Sequence, residues 1–361
     1  MKMIVRRTAL AVCTLVLAVT LSTAASAACT GFDDVPEAAD CYESVMYLAE
    51  CEIAAGTGND CFSPEQLITV EQWAVMLCRA YGAETIGDSW QDVGRSSVVE
   101  AYRQGWLNET ALSAPRSPMC RSVLVESAFA AADVPVYDST LYEGGASLST
   151  ADNILRVGRE LGLCSDDADT NALVTRGDAA IILHVVLTQS FRIEEPPVPV
   201  TLVNAAGVNV NDFLLELRKL PEQVLDAFNA AGWTYCIDFD YMGGLSKKLN
   251  MSCIGATSYG QKTIYISEAS ATLHEFGNFL DWMLGFPAEH EQLFRAEAAA
   301  APLRNYAKTD SREYFADCFS YYITYGSNSE MMEHLRKNMP QTCAYFEKLG
   351  KGGWSRDIHA K

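Results

Sequence analysis

Histidine is scarce in this chain, with five among 361 residues, at positions 184, 274, 290, 334 and 359. No two stand four apart, so no helix is written to present a pair of imidazoles on one face. No C-x-x-C spacing occurs, which argues against a cysteine-ligated zinc site. Basic residues are also in deficit, 27 against 46 acidic ones, for a formal charge of −19. So acidic a chain disfavours phosphate backbones, and no nucleic-acid partner is expected. Beyond the N-terminus no apolar run approaches the roughly 20 residues that cross a bilayer.

The N-terminus itself reads "MKMIVRR", then "TALAVCTLVLAVTL", then "STAASA". Basic, apolar and small-residue stretches in that order predict a secretory signal peptide over residues 1–27, and the apolar core is short for a membrane anchor. Ser26 stands where a lipid-attachment motif would carry a large aliphatic residue. Cleavage removes Lys2, Arg6 and Arg7, takes the charge to −22 and leaves no transmembrane anchor. Eleven cysteines remain, five of them between Cys29 and Cys78, and an odd number leaves at least one outside any intramolecular disulfide. The expected location is secreted, at the bacterial cell surface or wall.

"FRIEEPPVPV" marks a seam, because Pro196 and Pro197 end helices and favour an extended spacer. A linker is therefore expected over 191–204. Upstream, the chain repeats itself. "CYESVMYLAECEIAAG", "SSVVEAYRQGWLNE" and "ADNILRVGRELGLCSD" share one helical pattern, with Glu52, Gly105 and Gly162 in register. Each precedes a second helix, opening at Ile68, Met119 and Val174. One such pair cannot bury its apolar face, so three are expected to pack together over 28–190 (about 30–85, 88–135 and 140–190). His184, within "AAIILHVVL", reads as a core residue.

"FDDV" and "WQDV" at the unit starts, with "VTRGDAA" and "ITVEQWA" at the second helices, resemble the S-layer homology module. That resemblance implies attachment to cell-wall polysaccharide through an arginine at the second-helix start. Arg176 and Arg121 occupy that slot, Val70 does not, and the third unit lacks the D-V opening. A guanidinium beside free backbone N–H groups can clamp a carboxylate.

The C-terminal half mixes a few strands with a run of helices, an α+β layout. Gly232 breaks a helix from a strand, and "KTIYIS" alternates as a second strand. "ATLHEFGNFLDW" carries four letters of the zinc-protease helix H-E-x-x-H, with Asn278 in the fifth place. "NYAKTDSREYFADCFSYYITYG" and "NMPQTCAYF" follow.

Together these segments resemble the zinc peptidase domain of anthrax lethal factor and its relatives, including clostridial Pro-Pro endopeptidases. The resemblance implies a zincin-like metallopeptidase domain over 205–350, followed by a tail at 351–361. It implies Zn2+ held by His274 and Glu313, with Asn278 where the second imidazole belongs. It further implies Glu275 as general base, Tyr306 as the phenol facing the oxyanion, and Asp281 and Asp317 as carboxylates orienting the ligands. An extended peptide or protein substrate would lie along "KTIYIS" as the sheet edge.

Asn278 is the departure that matters. An amide oxygen is a hard, weak donor beside imidazole, so the change weakens zinc binding. Asp281 on the same helix, and His290 beyond its end, are the candidate substitutes. The expected architecture is multidomain, an N-terminal all-α triple helix-pair repeat followed by the α+β peptidase-like domain. Two functions stay open: a wall-associated zinc metalloendopeptidase with an impaired site, and an inactive pseudo-peptidase acting as a surface binding protein.

Overall fold

The computed structural model describes residues 2–5 and 31–355. The expected signal peptide lies outside the described residues, apart from Lys2–Val5. His359 lies outside them too. The chain divides into two compact units, Met1–Glu195 and Pro196–Lys361.

The first unit is helical: α1 (Tyr42–Glu50), α2 (Val70–Tyr81), α3 (Trp90–Arg103), α4 (Glu109–Ser113), α5 (Arg121–Ala131), α6 (Thr150–Glu160) and α7 (Arg176–Thr188). Its organising feature is a ring of three backbone hydrogen bonds. Ile68 N donates to Val174 O, Val174 N to Met119 O, and Met119 N to Ile68 O, each at 3.0 Å. All three side chains are buried. Helices α2, α5 and α7 leave this ring and pack at the centre, with α1 against α7, α3 against α2 and α6 against α5. The packing pairs are thus offset from the sequence pairs. Each outer helix leans on the inner helix of the preceding unit, and α1 closes the circle on α7.

The positions in register among the repeats have a backbone cause. Glu52, Gly105 and Gly162 all adopt left-handed φ values, of 57°, 75° and 73°. Behind each, an N–H reaches back to the last helical turn: Ile53 to Leu48, Trp106 to Ala101, Leu163 to Gly158. That is a Schellman stop, which glycine adopts without strain and Glu52 does not. Thr69 and Thr175 cap α2 and α7 through their hydroxyls, whereas Cys120 gives α5 no side-chain cap.

The linker expectation needs correction at both ends. β2 (Phe191–Glu194) pairs antiparallel with β1 (Lys2–Val5), and its Phe191 and Ile193 are buried. β3 (Leu202–Asn204) belongs to the sheet of the second unit. β2 alternates buried and exposed residues as a half-covered strand does, whereas β3 shows no such pattern and is defined by its parallel pairing with β4.

The second unit holds a four-stranded sheet of order β3, β4 (Thr234–Ile237), β6 (Thr263–Ile266), β5 (Gly255–Ser258). The first three run parallel, and β5 returns antiparallel to β6. The "KTIYIS" strand is therefore interior rather than the expected edge, with Ile264 and Ile266 buried on one face, and β5 is the edge on that side. Composition hides β5, since Gly-Ala-Thr-Ser has little strand character. The helices are α8 (Asn211–Arg218), α9 (Glu222–Ala230), α10 (Phe239–Leu249), α11 (Thr272–Leu284), α12 (Ala288–Glu297), α13 (Ser311–Tyr325), α14 (Ser329–Asn338) and α15 (Pro340–Lys351). Phe228, Trp233, Phe276 and Phe279 meet in an aromatic cluster behind α11. The tail is not featureless: Trp354 is buried against Phe319 and Tyr322.

Candidate functional site

Helices α11 and α13 build the site because they approach unusually closely. Gly277 faces Ala316, and a Cβ at 277 would lie 2.6 Å from Ala316 Cα. The glycine in H-E-F-G thereby lets residues from both helices meet. His274 Nε2 comes to 3.0 Å from Glu313 Oε2. Glu313 Oε2 is buried without a hydrogen-bond donor, so the contact is an ion pair off the line of the ring N–H.

On its other nitrogen, His274 Nδ1 lies 2.6 Å from Asp317 Oδ1. Arg304 holds Asp317 with two bonds, Nε to Oδ2 and Nη2 to Oδ1, both 2.8 Å. Burial works against charge on His274, but the carboxylates of Asp317 and Glu313 outweigh it and hold the imidazole up at about 9. Burial likewise raises Asp317, yet the bonds from His274 and Arg304 leave its carboxyl below the usual range.

Glu275, fully buried, is pushed upward first by burial. Its Oε2 accepts from Thr257 Oγ1 at 2.7 Å, which ties it to edge strand β5. Asn278 Nδ2 points to the same oxygen at 3.4 Å. Tyr306 is 43 % exposed at the cavity mouth, and burial followed by Glu313 pushes its phenol up to about 12. His274, Glu275, Asn278, Tyr306, Glu313 and Asp317 all line one cavity of about 850 Å³.

Asp281 departs from its expected role. Its Oδ1 lies 2.7 Å from His290 Nδ1, and His290 Nε2 lies 2.8 Å from Tyr345 Oη. His290 stacks on Phe315 at 3.9 Å and is buried. Both candidate substitutes for the missing ligand are thus committed to each other in the core behind α11. Arg304, Thr257 and Gly277 are site residues that sequence reasoning missed. Only Arg304, two positions before Tyr306, had a charge to draw notice.

The donor set can be tested against zinc. Tetrahedral zinc with bonds of about 2.0–2.1 Å sets neighbouring ligand atoms roughly 3.3 Å apart, and the 3.0 Å between His274 and Glu313 suits two such corners. At the third expected position, Asn278 turns its NH2 towards Glu275. Among the described residues, no group of three His, Cys, Asp or Glu is arranged to hold a metal ion. The residues present do not make the complete set.

In the first unit the two arginines differ. Arg176 is 5 % exposed and donates to Phe62 O at 2.9 Å and Ala55 O at 3.1 Å, with its guanidinium 4.6 Å over the Phe62 ring. It acts largely as a brace rather than an exposed clamp, although it still borders a cavity of about 470 Å³ with Arg79, Gln72 and Trp90. Arg121 lies 3.6 Å from Asp178, and its buried Nε has no hydrogen-bond partner; Arg159 Nε is in the same condition. His184 accepts or donates at 3.0 Å to Ser44 and stacks on Tyr47, a packing role. No helix among the described residues is long and apolar enough to cross a membrane.

Comparison with known families agrees with this division. Residues 216–349 match the family described as anthrax toxin lethal factor, N- and C-terminal domain. Residues 31–72 match the S-layer homology domain. No curated protein matches the chain. The first unit is therefore similar at its opening to S-layer homology domains, and the second, over most of its length, to the lethal factor family.

Proposed function

We propose that this is a bacterial cell-surface protein whose first unit attaches to an anionic wall polysaccharide and whose second unit holds extended peptides without cutting them. The observation that carries the second part is the amide at 278. It stands where the family places an imidazole and directs its NH2 at Glu275 rather than offering a strong donor. Peptide binding is supported by the edge strand β5, which borders the cavity and can accept an added strand. Wall attachment is supported by the S-layer homology match at the opening of the first unit.

A peptidase with a weakened metal hold is the second reading, favoured by the donor-free Glu313 Oε2 beside His274. A peptide library incubated with the full chain and zinc, beside Asn278→His, separates the two. Retention without cleavage by the natural chain is expected, with cleavage appearing in the variant. Chelator-sensitive cleavage by the natural chain selects the peptidase.

A further inference from the structure

One wall of the 850 Å³ cavity carries no catalytic-type residue. Leu245 and Leu249, four apart on α10, face it together with Met251. Leu249 is 52 % and Met251 46 % exposed, high values for aliphatic side chains facing a concave site.

This wall is also built rather than loose. Helix α10 stops at Asn250 in the left-handed conformation, φ 52°. Met251 N then bonds back to Ser246 O at 3.2 Å. Ser246 Oγ accepts from Cys253 N at 3.0 Å and donates to Cys253 O at 3.3 Å. Ser267 N completes the tie to the sheet through Ile254 O at 2.9 Å. Backbone bonds thus hold the apolar surface beside β5, while the charged groups His274, Glu275 and Glu313 occupy α11 and α13. A pocket that is apolar on one side, with polar groups converging on the other, is the usual form of a selective ligand site.

We propose that Leu245, Leu249 and Met251 form the selectivity surface of the groove, and that a peptide bound along β5 seats one aliphatic side chain (Leu, Ile, Val or Met) against them. This rests on the peptide-holding reading above and adds the class of residue it selects.

The test is selection of a displayed random peptide library on the immobilised full chain. It is followed by affinity measurement on the double variant Leu249→Ser/Met251→Ser, with Ile86→Ser as an exposed apolar control. Selected peptides are expected to share an aliphatic residue at one position, and the double variant to bind them at least tenfold more weakly. The control should bind normally. Peptides that bind without an aliphatic preference, or a double variant with undiminished affinity, overturn the selectivity wall while leaving the groove. A library from which nothing is enriched overturns the peptide-holding reading and the wall with it.

Discussion

Gly277 of α11 and Ala316 of α13 are packed so that no Cβ fits between them. This contact sets the separation of His274 and Glu313, because those residues sit one turn away on the same two helices. Gly277→Ala must push the helices apart or distort them, and overpacking of that kind costs about 1–3 kcal/mol. The expected result is a lower denaturation midpoint for the second unit, together with loss of peptide binding. Unchanged stability would show that the helices can part freely.

Glu297 is a buried carboxylate that caps α15. It accepts from Gln341 N at 2.7 Å, Thr342 N at 2.9 Å and Thr342 Oγ1 at 2.6 Å. Charge-assisted bonds to a helix N-terminus are strong, and removing the acceptor leaves those donors buried. Glu297→Ala is expected to destabilise the second unit by about 2–4 kcal/mol, and Thr342→Val by less. Urea denaturation followed by tryptophan fluorescence measures both.

The imidazole of His274 is held up at about 9 in the folded chain against 6.5 for an unperturbed group. A raised pKa means that the folded state holds the proton more tightly. The stabilisation is complete below pH 6.5 and is lost as pH rises through about 9. Asp317, held below its usual range, contributes in the opposite sense and is lost only as the solution becomes strongly acid. The stability of the metal-free second unit is therefore expected to decline between pH 6.5 and 9, and this decline to flatten in His274→Ala. A profile identical in the variant would remove His274 from the account.

Arg121 and Arg176 occupy the same repeat position but are expected to fail differently. Arg121→Ala should weaken sedimentation with purified cell walls and leave the melting temperature nearly unchanged, since the one ion pair it gives up, to Asp178 at 3.6 Å, is partly exposed. Arg176→Ala should unfold the first unit at lower temperature, because Phe62 O and Ala55 O lose their donors. The reverse pattern would exchange their roles.

Much of this was legible in the chain and some was not, for physical reasons. The stops at Gly105 and Gly162 showed in the sequence because a left-handed helix end favours glycine, and Glu52 was placed by the repeat register rather than by its residue type. The segments about His274 and Glu313 were legible through their joint resemblance to the lethal factor family, since the H-E pair alone is a weak signal and the two residues lie on different helices. Strand β5 did not show, since an edge strand of small residues has no alternating pattern. Helix α10 hid behind Gly243 and Gly244, which lower its propensity. Asp281 was misjudged because sequence gives the face of a helix but not the side chain that meets it across the core, here His290.

The most direct measurement is the zinc affinity of the full chain beside Asn278→His, by competition with a chromogenic chelator. Changing even the groups that orient zinc ligands costs roughly 10–100-fold in affinity, so replacing a ligand should cost at least that. The natural chain is expected to bind zinc at least a hundredfold more weakly than the variant, which should take up one equivalent. Equal, tight, stoichiometric binding by both would contradict the account, because Asn278 would then no longer be what separates this chain from a working peptidase.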